Sequence, residues 1–220
     1  MVGHFQEFED EYLEMMYECY EDDPTAHVRT GELAEKLSVS PASVTEMLRR
    51  LASKELVIYT PYKGAKLTDT GLEHGQRMKR RHRLAELLLD ILPFDGNAHE
   101  TACRLEHAID DDLEVSLSLL FSNASEDPSG REIPEADVHI KSKLQSIKNE
   151  YALLSDAPDN ITCIVSALFF SQQEKIILSK QGIELGANVV RREHQLQFND
   201  SSICQMSNEM MSKILVKLVD

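Results

Sequence analysis

The stretch Arg29–Val57, "RTGELAEKLSVSPASVTEMLRRLASKELV", decides the reading of the fold. Thr30 can cap a short helix in which Leu33, Ala34 and Leu37 face inward, and Ser38-Val39-Ser40 makes a tight turn. Ser40 is a good N-cap, and Pro41 follows at the first helical position, where its missing N–H costs nothing. Val44, Met47, Leu48 and Leu51 then recur at helical spacing and form a buried stripe. Ser43, Thr45, Glu46, Arg49 and Arg50 are left outside. Two short helices joined this way, the second presenting hydroxyls and arginines, form a helix-turn-helix pattern.

Working outward, Leu56–Gly71, "LVIYTPYKGAKLTDTG", predicts two short strands with a turn at Lys63-Gly64. Such a hairpin after a helix-turn-helix is a wing, with Lys63 and Lys66 placed to meet phosphates. Upstream, Glu9–Glu21, "EDEYLEMMYECYE", carries Tyr12, Met15, Met16, Cys19 and Tyr20 at helical spacing. Downstream, a long helix runs from Thr70 to the break at Pro93, basic in its first half and apolar in its second. Further helices are predicted over roughly Ala98–Asp110 and Leu113–Phe121, then a loop through Pro134 and a polar connector. After Leu154 the style changes. "ITCIVSALFF", "ANVVRREH" and "SICQMS" read as strands and "NEMMSKILVKL" as a closing helix, together a small β-barrel domain.

Charge is distributed unevenly. The net charge is −15, yet Val28 to Arg83 holds twelve Lys/Arg against six Asp/Glu, leaving the rest at −21. One basic segment in an acidic chain fits a confined anionic partner, although a solvated basic face has the same composition. The longest apolar run, Cys163 to Phe170, is eight residues and includes a serine, well short of a membrane span. The acidic start "MVGHFQEFED" is no signal peptide, so a cytoplasmic protein without membrane association is expected. Four widely spaced cysteines read as free thiols.

His99–Ala108, "HETACRLEHA", concentrates metal-binding chemistry. On a helix, positions three and four apart share a face, so Cys103 lies beside Glu106 and His107, with His99 one turn earlier. Thiolate, carboxylate and imidazole can each give a lone pair to a divalent transition metal. His82 and Glu86 form another i, i+4 pair, and the Pro93 break folds their helix back on the next, where His99 can join them. The same residues could equally form a solvated polar face.

"VSPASVTEMLRRLASKELV", "YKGAKLTDTG", "RRHRLAELLL" and "HETACRLEH" together resemble the diphtheria toxin repressor family of iron- and manganese-dependent regulators, in order and spacing, over about Phe8 to Pro134. The C-terminal part resembles, through "LSDAPDNIT" and "QGIELGANV", the SH3-like third domain of the iron-dependent branch. The resemblance implies a mainly α protein. It has a winged helix-turn-helix DNA-binding domain (1–72), a helical metal-binding and dimerisation domain (73–140), a linker (141–154) and an SH3-like small barrel (155–220). It implies a homodimeric repressor of metal-uptake genes that binds a palindromic operator.

Carried over residue by residue, one metal falls to His82, Glu86 and His99, with Glu174 as the candidate from the third domain. The other falls to Cys103, Glu106 and His107 with Glu11, the residue before the first helix's tyrosine; the manganese branch also uses a carboxylate where Glu14 stands. DNA-facing candidates are Thr30, Ser40, Ser43, Thr45, Glu46, Arg49, Arg50, Lys63 and Lys66. Glu46 departs from the glutamine of better-studied iron members. Thiolate suits softer metals and carboxylates manganese(II), so Cys103 and the third domain favour Fe(II), with Mn(II) as the alternative. Zinc, cobalt and nickel are expected surrogates in vitro. The rival readings are a metal-independent regulator, a metal buffer and, from another class, a non-haem metalloenzyme; crowded ligands and no nucleophile motif speak against catalysis.

Overall fold

The computed structural model of the chain describes residues 3–25, 27–121, 124–192, 195–198 and 202–219. Two residues of the predicted loop, Ser122 and Asn123, and the last two of the strand expected to end at His194 lie outside the described residues. The chain divides into two compact units, Met1–Glu114 with Ala124–Val138, and Val115–Asn123 with His139–Asp220.

In the first unit, α1 (Gly3–Asp22), α2 (Thr30–Lys36) and α3 (Pro41–Ser53) precede the hairpin β1 (Val57–Thr60) and β2 (Gly64–Leu67). Ser40 caps α3 as its sequence indicates: Oγ accepts the Ser43 N–H at 3.1 Å, with Pro41 at the first position. Such a cap contributes about 1 kcal/mol. Thr30 does not cap α2. It is the first helical residue, and Arg29, with extended backbone, takes the cap position without a side-chain bond. Val44, Leu48 and Leu51 of α3 pack with Leu33 of α2, Tyr12, Leu13 and Met16 of α1, and Val57 and Ala65 of the hairpin. Reciprocal 2.9 Å bonds between Val28 and Ala65 dock a third extended segment on the hairpin. Gly64 permits this, since with φ of 109° any Cβ would lie 2.4 Å from the Val28 carbonyl oxygen.

Helix α4 (Asp69–Ile91) starts at Thr68, whose Oγ1 accepts the Gly71 N–H at 3.1 Å. It crosses α1 closely at Gly75, where a Cβ would stand 2.5 Å from the Leu13 carbonyl oxygen. The helix predicted over Ala98–Asp110 is shorter. α5 (Ala98–Leu105) gives way to a 3-10 turn, Glu106–Ala108, and Ile109 is extended. Tightening the last turn rotates Glu106 and His107 off the simple i, i+4 face of α5. α6 (Asp111–Leu120) begins two residues earlier than expected, because the Asp110 carboxylate accepts the Leu113 N–H at 2.9 Å.

The segment read as a polar linker, 141–154, is instead largely α7 (Val138–Lys148) and β3 (Tyr151–Leu153). Ile140 and Leu144 are buried and Ile147 half-buried, an i, i+4, i+7 stripe diluted by lysines and serines in the sequence. β4 (Thr162–Leu168), α8 (Gln172–Lys180), β5 (Asn188–Arg192), β6 (Gln195–Phe198), β7 (Ile203–Gln205), α9 (Asn208–Met211) and β8 (Ile214–Leu218) complete the chain. The strands form one six-stranded antiparallel sheet in the order β3-β8-β4-β5-β6-β7. The predicted closing helix is therefore wrong beyond Met211. Ile214 and Val216 point into the core and β8 is paired on both sides, which outweighs helix propensity. Leu154, Cys163, Val165, Leu178, Val189, Leu196 and Met211 surround them. Among the described residues no helix is long and apolar enough to cross a membrane.

Candidate metal centre

The first unit gathers the predicted donors around His82. Its imidazole, 1% exposed, projects from α4 between α1, α5 and the 3-10 turn. Nδ1 lies 2.6 Å from Glu106 Oε2 and 3.8 Å from Glu14 Oε1; Nε2 lies 3.3 Å from Glu86 Oε1. Two groups of donor atoms lie within 4.8 Å of one another, Glu14–His82–Glu106 and His82–His99–Cys103, and His82 belongs to both. Glu86 Oε1 is also 3.3 Å from His99 Nδ1, and Cys103 Sγ is 4.0 Å from His99 Nε2.

Expectation and structure part company on α1. Glu11 is exposed and contributes no atom to either donor group. Glu14, one helical turn on, supplies the α1 carboxylate, because the Leu13–Gly75 contact turns that face of α1 toward α4. His107 meets two carboxylates. Its Nδ1 is 3.5 Å from Asp10 Oδ2 and its Nε2 3.6 Å from Glu106 Oε1. Asp10 also takes His74 Nε2 at 2.6 Å, so adjacent α1 carboxylates serve different clusters. Glu174 lies in the second unit, where it closes a capping box on α8. Its carboxylate accepts the Ser171 N–H at 2.8 Å, and Ser171 Oγ accepts the Glu174 N–H at 3.3 Å. "SQQE" has the Ser-x-x-Glu form of that box, a local signal legible in the sequence.

Burial and charge set the protonation states. Burial disfavours the His82 cation, but the neighbouring Cys103, Glu106 and Glu86 side chains and the charge of Glu14 more than reverse this and raise its pKa. Burial pushes the Glu106 carboxyl up, helped by Glu14 and opposed by His82. Asp10, which burial alone would raise, is held down at about 2 by the adjacent imidazoles of His107 and His74. Lys79 balances the carboxylates of α1, with Nζ 3.2 Å from Glu14 Oε1 and 2.7 Å from Glu18 Oε2. Arg131 braces Glu86 at 2.6 Å and is itself held by Asp127 at 2.7 Å. Lys79 is 65 residues from Glu14 and Arg131 is 45 from Glu86, so neither of these two contacts carried a spacing signal.

The donor set fits a divalent cation. Nε2 of His82 and Nδ1 of His107 are buried with no hydrogen-bond partner, although each has a carboxylate within ion-pair distance. A buried imidazole nitrogen without an aligned partner is costly unless something else takes its lone pair or proton. Imidazole, thiolate and carboxylate together suit a first-row transition metal.

On the winged part, Ser43, Glu46, Arg49 and Lys63 are exposed, while Thr45, Arg50 and Lys66 are partly covered. Arg49, Thr45 and Thr30 line a cleft of about 440 Å³ with Arg29, Tyr59 and Tyr62. Among the described residues Arg29, Arg49, Lys63 and Lys66 have no acidic partner, which is notable in a chain of net charge −15. Ser40 and Ser43 share a 2.8 Å hydroxyl contact, and Thr45 Oγ1 donates to the Pro41 carbonyl at 2.9 Å.

Residues 4–65 match the model of the iron dependent repressor N-terminal DNA binding domain, and residues 68–135 that of the iron dependent repressor metal binding and dimerisation domain. The diphtheria toxin repressor of Corynebacterium efficiens is 30% identical over 187 residues, 81% of this chain and 80% of that one. That of Corynebacterium diphtheriae is 34% identical over 128 residues, 57% of this chain and 56% of that one, so the match spans about half of that relative. The structure of the manganese regulator SloR shares the fold, with a TM-score of 0.51 at 21% identity over 96% of this chain and 98% of that one. These relatives are regulators, not enzymes, which removes the metalloenzyme reading. The chain belongs to the iron-dependent repressor family of metal-dependent, DNA-binding transcriptional regulators.

Proposed function

We propose that this protein is a metal-activated repressor of metal-uptake genes, binding a palindromic operator as a homodimer with Fe(II) as co-repressor. Residues 1–72 read DNA, 73–140 bind metal and dimerise, and the C-terminal sheet is an SH3-like small barrel. The observation that carries this reading is His82, a buried imidazole shared by two donor groups drawn from α1, α4, α5 and the 3-10 turn.

His82, Glu86 and His99 would hold one ion, and Glu14, Cys103, Glu106 and His107 the other. A bound divalent ion supplies positive charge against carboxylates that otherwise repel one another. Glu14 belongs to α1, whose Tyr12, Leu13 and Met16 are part of the winged-domain core. Fixing Glu14 against His82 and Glu106 therefore fixes the winged domain against the middle helices. His82 coordinates as a neutral imidazole, so metal binding releases any proton that its coordinating nitrogen holds. The apo protein samples several placements of its DNA readers, and only the placement that sets two recognition helices about 34 Å apart fits successive major grooves. Arg29, Arg49 and Lys63 then meet phosphates, while Ser43, Thr45 and Glu46 face base edges.

Fluorescence anisotropy on the protein's own upstream promoter duplex tests this. Tight binding is expected with anaerobic Fe(II) and not with chelator; equal affinity in both sinks the reading. Mn(II) is a second reading, favoured by one observation: Glu14 gives the buried group two carboxylates and one imidazole, a hard donor set.

A further inference from the structure

The carboxylate of Glu9 on α1 has a side chain only 2% exposed, yet it faces two cations of the recognition helix. Arg50 Nε lies 2.6 Å from Oε1, and Lys54 Nζ lies 2.6 Å from Oε2. Arg50 is in the last turn of α3 and Lys54 is its C-cap, so both also sit where a helix end favours positive charge. Their side chains are 39% and 45% exposed, which leaves them room to swing into solvent if released. Glu9 has no such freedom.

We propose that Glu9 is an internal counter-ion, a positioning residue that keeps Arg50 and Lys54 off DNA phosphates and anchors α3 to α1. This rests on the DNA-binding reading above. Moving either cation to a phosphate leaves a buried, under-compensated carboxylate, whereas Arg49, one residue before Arg50, has no acidic partner among the described residues. The expectation that Arg50 meets phosphate is thereby revised. Glu9 lowers the affinity for arbitrary DNA, so that occupancy depends on correct placement of both readers rather than on bulk charge. Its neighbour Asp10 contacts His74 and His107 in the middle helices, so consecutive residues of α1 hold α3 on one side and the metal-centre elements on the other.

The test measures binding of the full chain, with Mn(II) present, to a short random-sequence duplex across a salt series. Glu9→Gln keeps the shape of the side chain and removes its charge. Each freed cation adds about 0.9 to the magnitude of the log–log salt slope, so two cations give about a tenfold larger loss of affinity between about 50 and about 200 mM salt. The triple variant Glu9→Gln, Arg50→Gln, Lys54→Gln should return to the wild-type slope. A Glu9→Gln slope equal to or shallower than wild type overturns the proposal. So does a triple variant shallower than wild type, which shows that the two cations already touch phosphate; this comparison decides the matter even if Glu9→Gln alone folds poorly. Wild-type protein that ignores metal on its promoter would instead sink the repressor reading, and that experiment is separate.

Discussion

His82 Nδ1 sits 2.6 Å from Glu106 Oε2, with both side chains only 1% exposed. A residue of α4 and one of the 3-10 turn thus meet in a site that neither element could build alone, and Glu14 of α1 closes it from the third side, 3.8 Å from the same nitrogen. The relationship places Glu14, and not Glu11, among the candidate donors of the buried group. Glu14→Gln should weaken Mn(II) binding about 10- to 100-fold, the range seen when groups around a metal are lost, and Glu11→Gln by much less. Titration followed by the electron paramagnetic resonance of free Mn(II) separates them; equal losses would return Glu11 to the ligand set.

Cys103 Sγ lies within 4.8 Å of donor atoms of His82 and His99 and is the soft candidate donor of the centre. Cys103→Ala should cost Fe(II) and Co(II) affinity more than Mn(II) affinity, because a thiolate favours softer ions. The near-ultraviolet thiolate-to-cobalt band of the Co(II)-loaded protein should disappear in the variant. A wild-type Co(II) spectrum without that band would remove sulfur from the first coordination sphere.

Arg49 and Lys63 are exposed and have no acidic partner among the described residues. Replacing either with Gln should lower the magnitude of the salt slope for promoter DNA by about 0.9, with little change in sequence preference. Competition between promoter and random duplex at fixed salt checks the second half. A large change in that ratio would assign the residue to base readout.

Asp127, whose side chain is fully buried, is held down at about 2 from an ordinary 3.8. Burial opposes this, but the Ser129 hydroxyl and N–H and the Arg131 N–H and guanidinium all donate to it. Because the folded pKa is depressed, the stabilisation is complete above the unfolded value and is lost as pH falls from about 4 through about 2. Asp127→Asn should cost about 2 kcal/mol at neutral pH, and the difference from wild type should shrink below pH of about 3. Urea denaturation at both pH values measures it; a pH-independent difference would mean that shape, not charge, is what matters there.

Gly75 marks the α1–α4 crossing, where a Cβ would meet the Leu13 carbonyl oxygen at 2.5 Å and the Tyr17 Cβ at 2.8 Å. Gly75→Ala improves helix propensity but forces the two helices apart, so a net loss of about 1–3 kcal/mol is expected. Metal affinity should fall as well, since the same displacement carries Glu14 away from His82. A variant with lower melting temperature and unchanged metal affinity would uncouple the crossing from the site.

Much of the winged domain was legible because its signals are local. Ser40 before Pro41, the stripe Val44–Leu48–Leu51, and Gly64 in the hairpin each act within a few residues, through a cap, a helical period or a positive φ. The His82, Glu86, His99, Cys103 and Glu106 cluster was legible for a related reason: helical spacing and one chain reversal suffice to bring them together. Local signals failed where competition was weak. α7 hides its stripe among lysines, and β8 follows a helical turn in a stretch that suits either conformation.

By itself the sequence determined which segments are helical in the reader domain, which donors could share a face, and where basic charge concentrates, since backbone geometry and composition decide those. Tertiary structure alone decided that Glu14 enters the site while Glu11 stays outside, and that Arg50 answers to Glu9 instead of standing free. Both outcomes depend on the rotation of α1 about its own axis. That rotation is set by how closely Leu13 and Tyr17 approach Gly75, 62 and 58 residues further along the chain, and no local period encodes it.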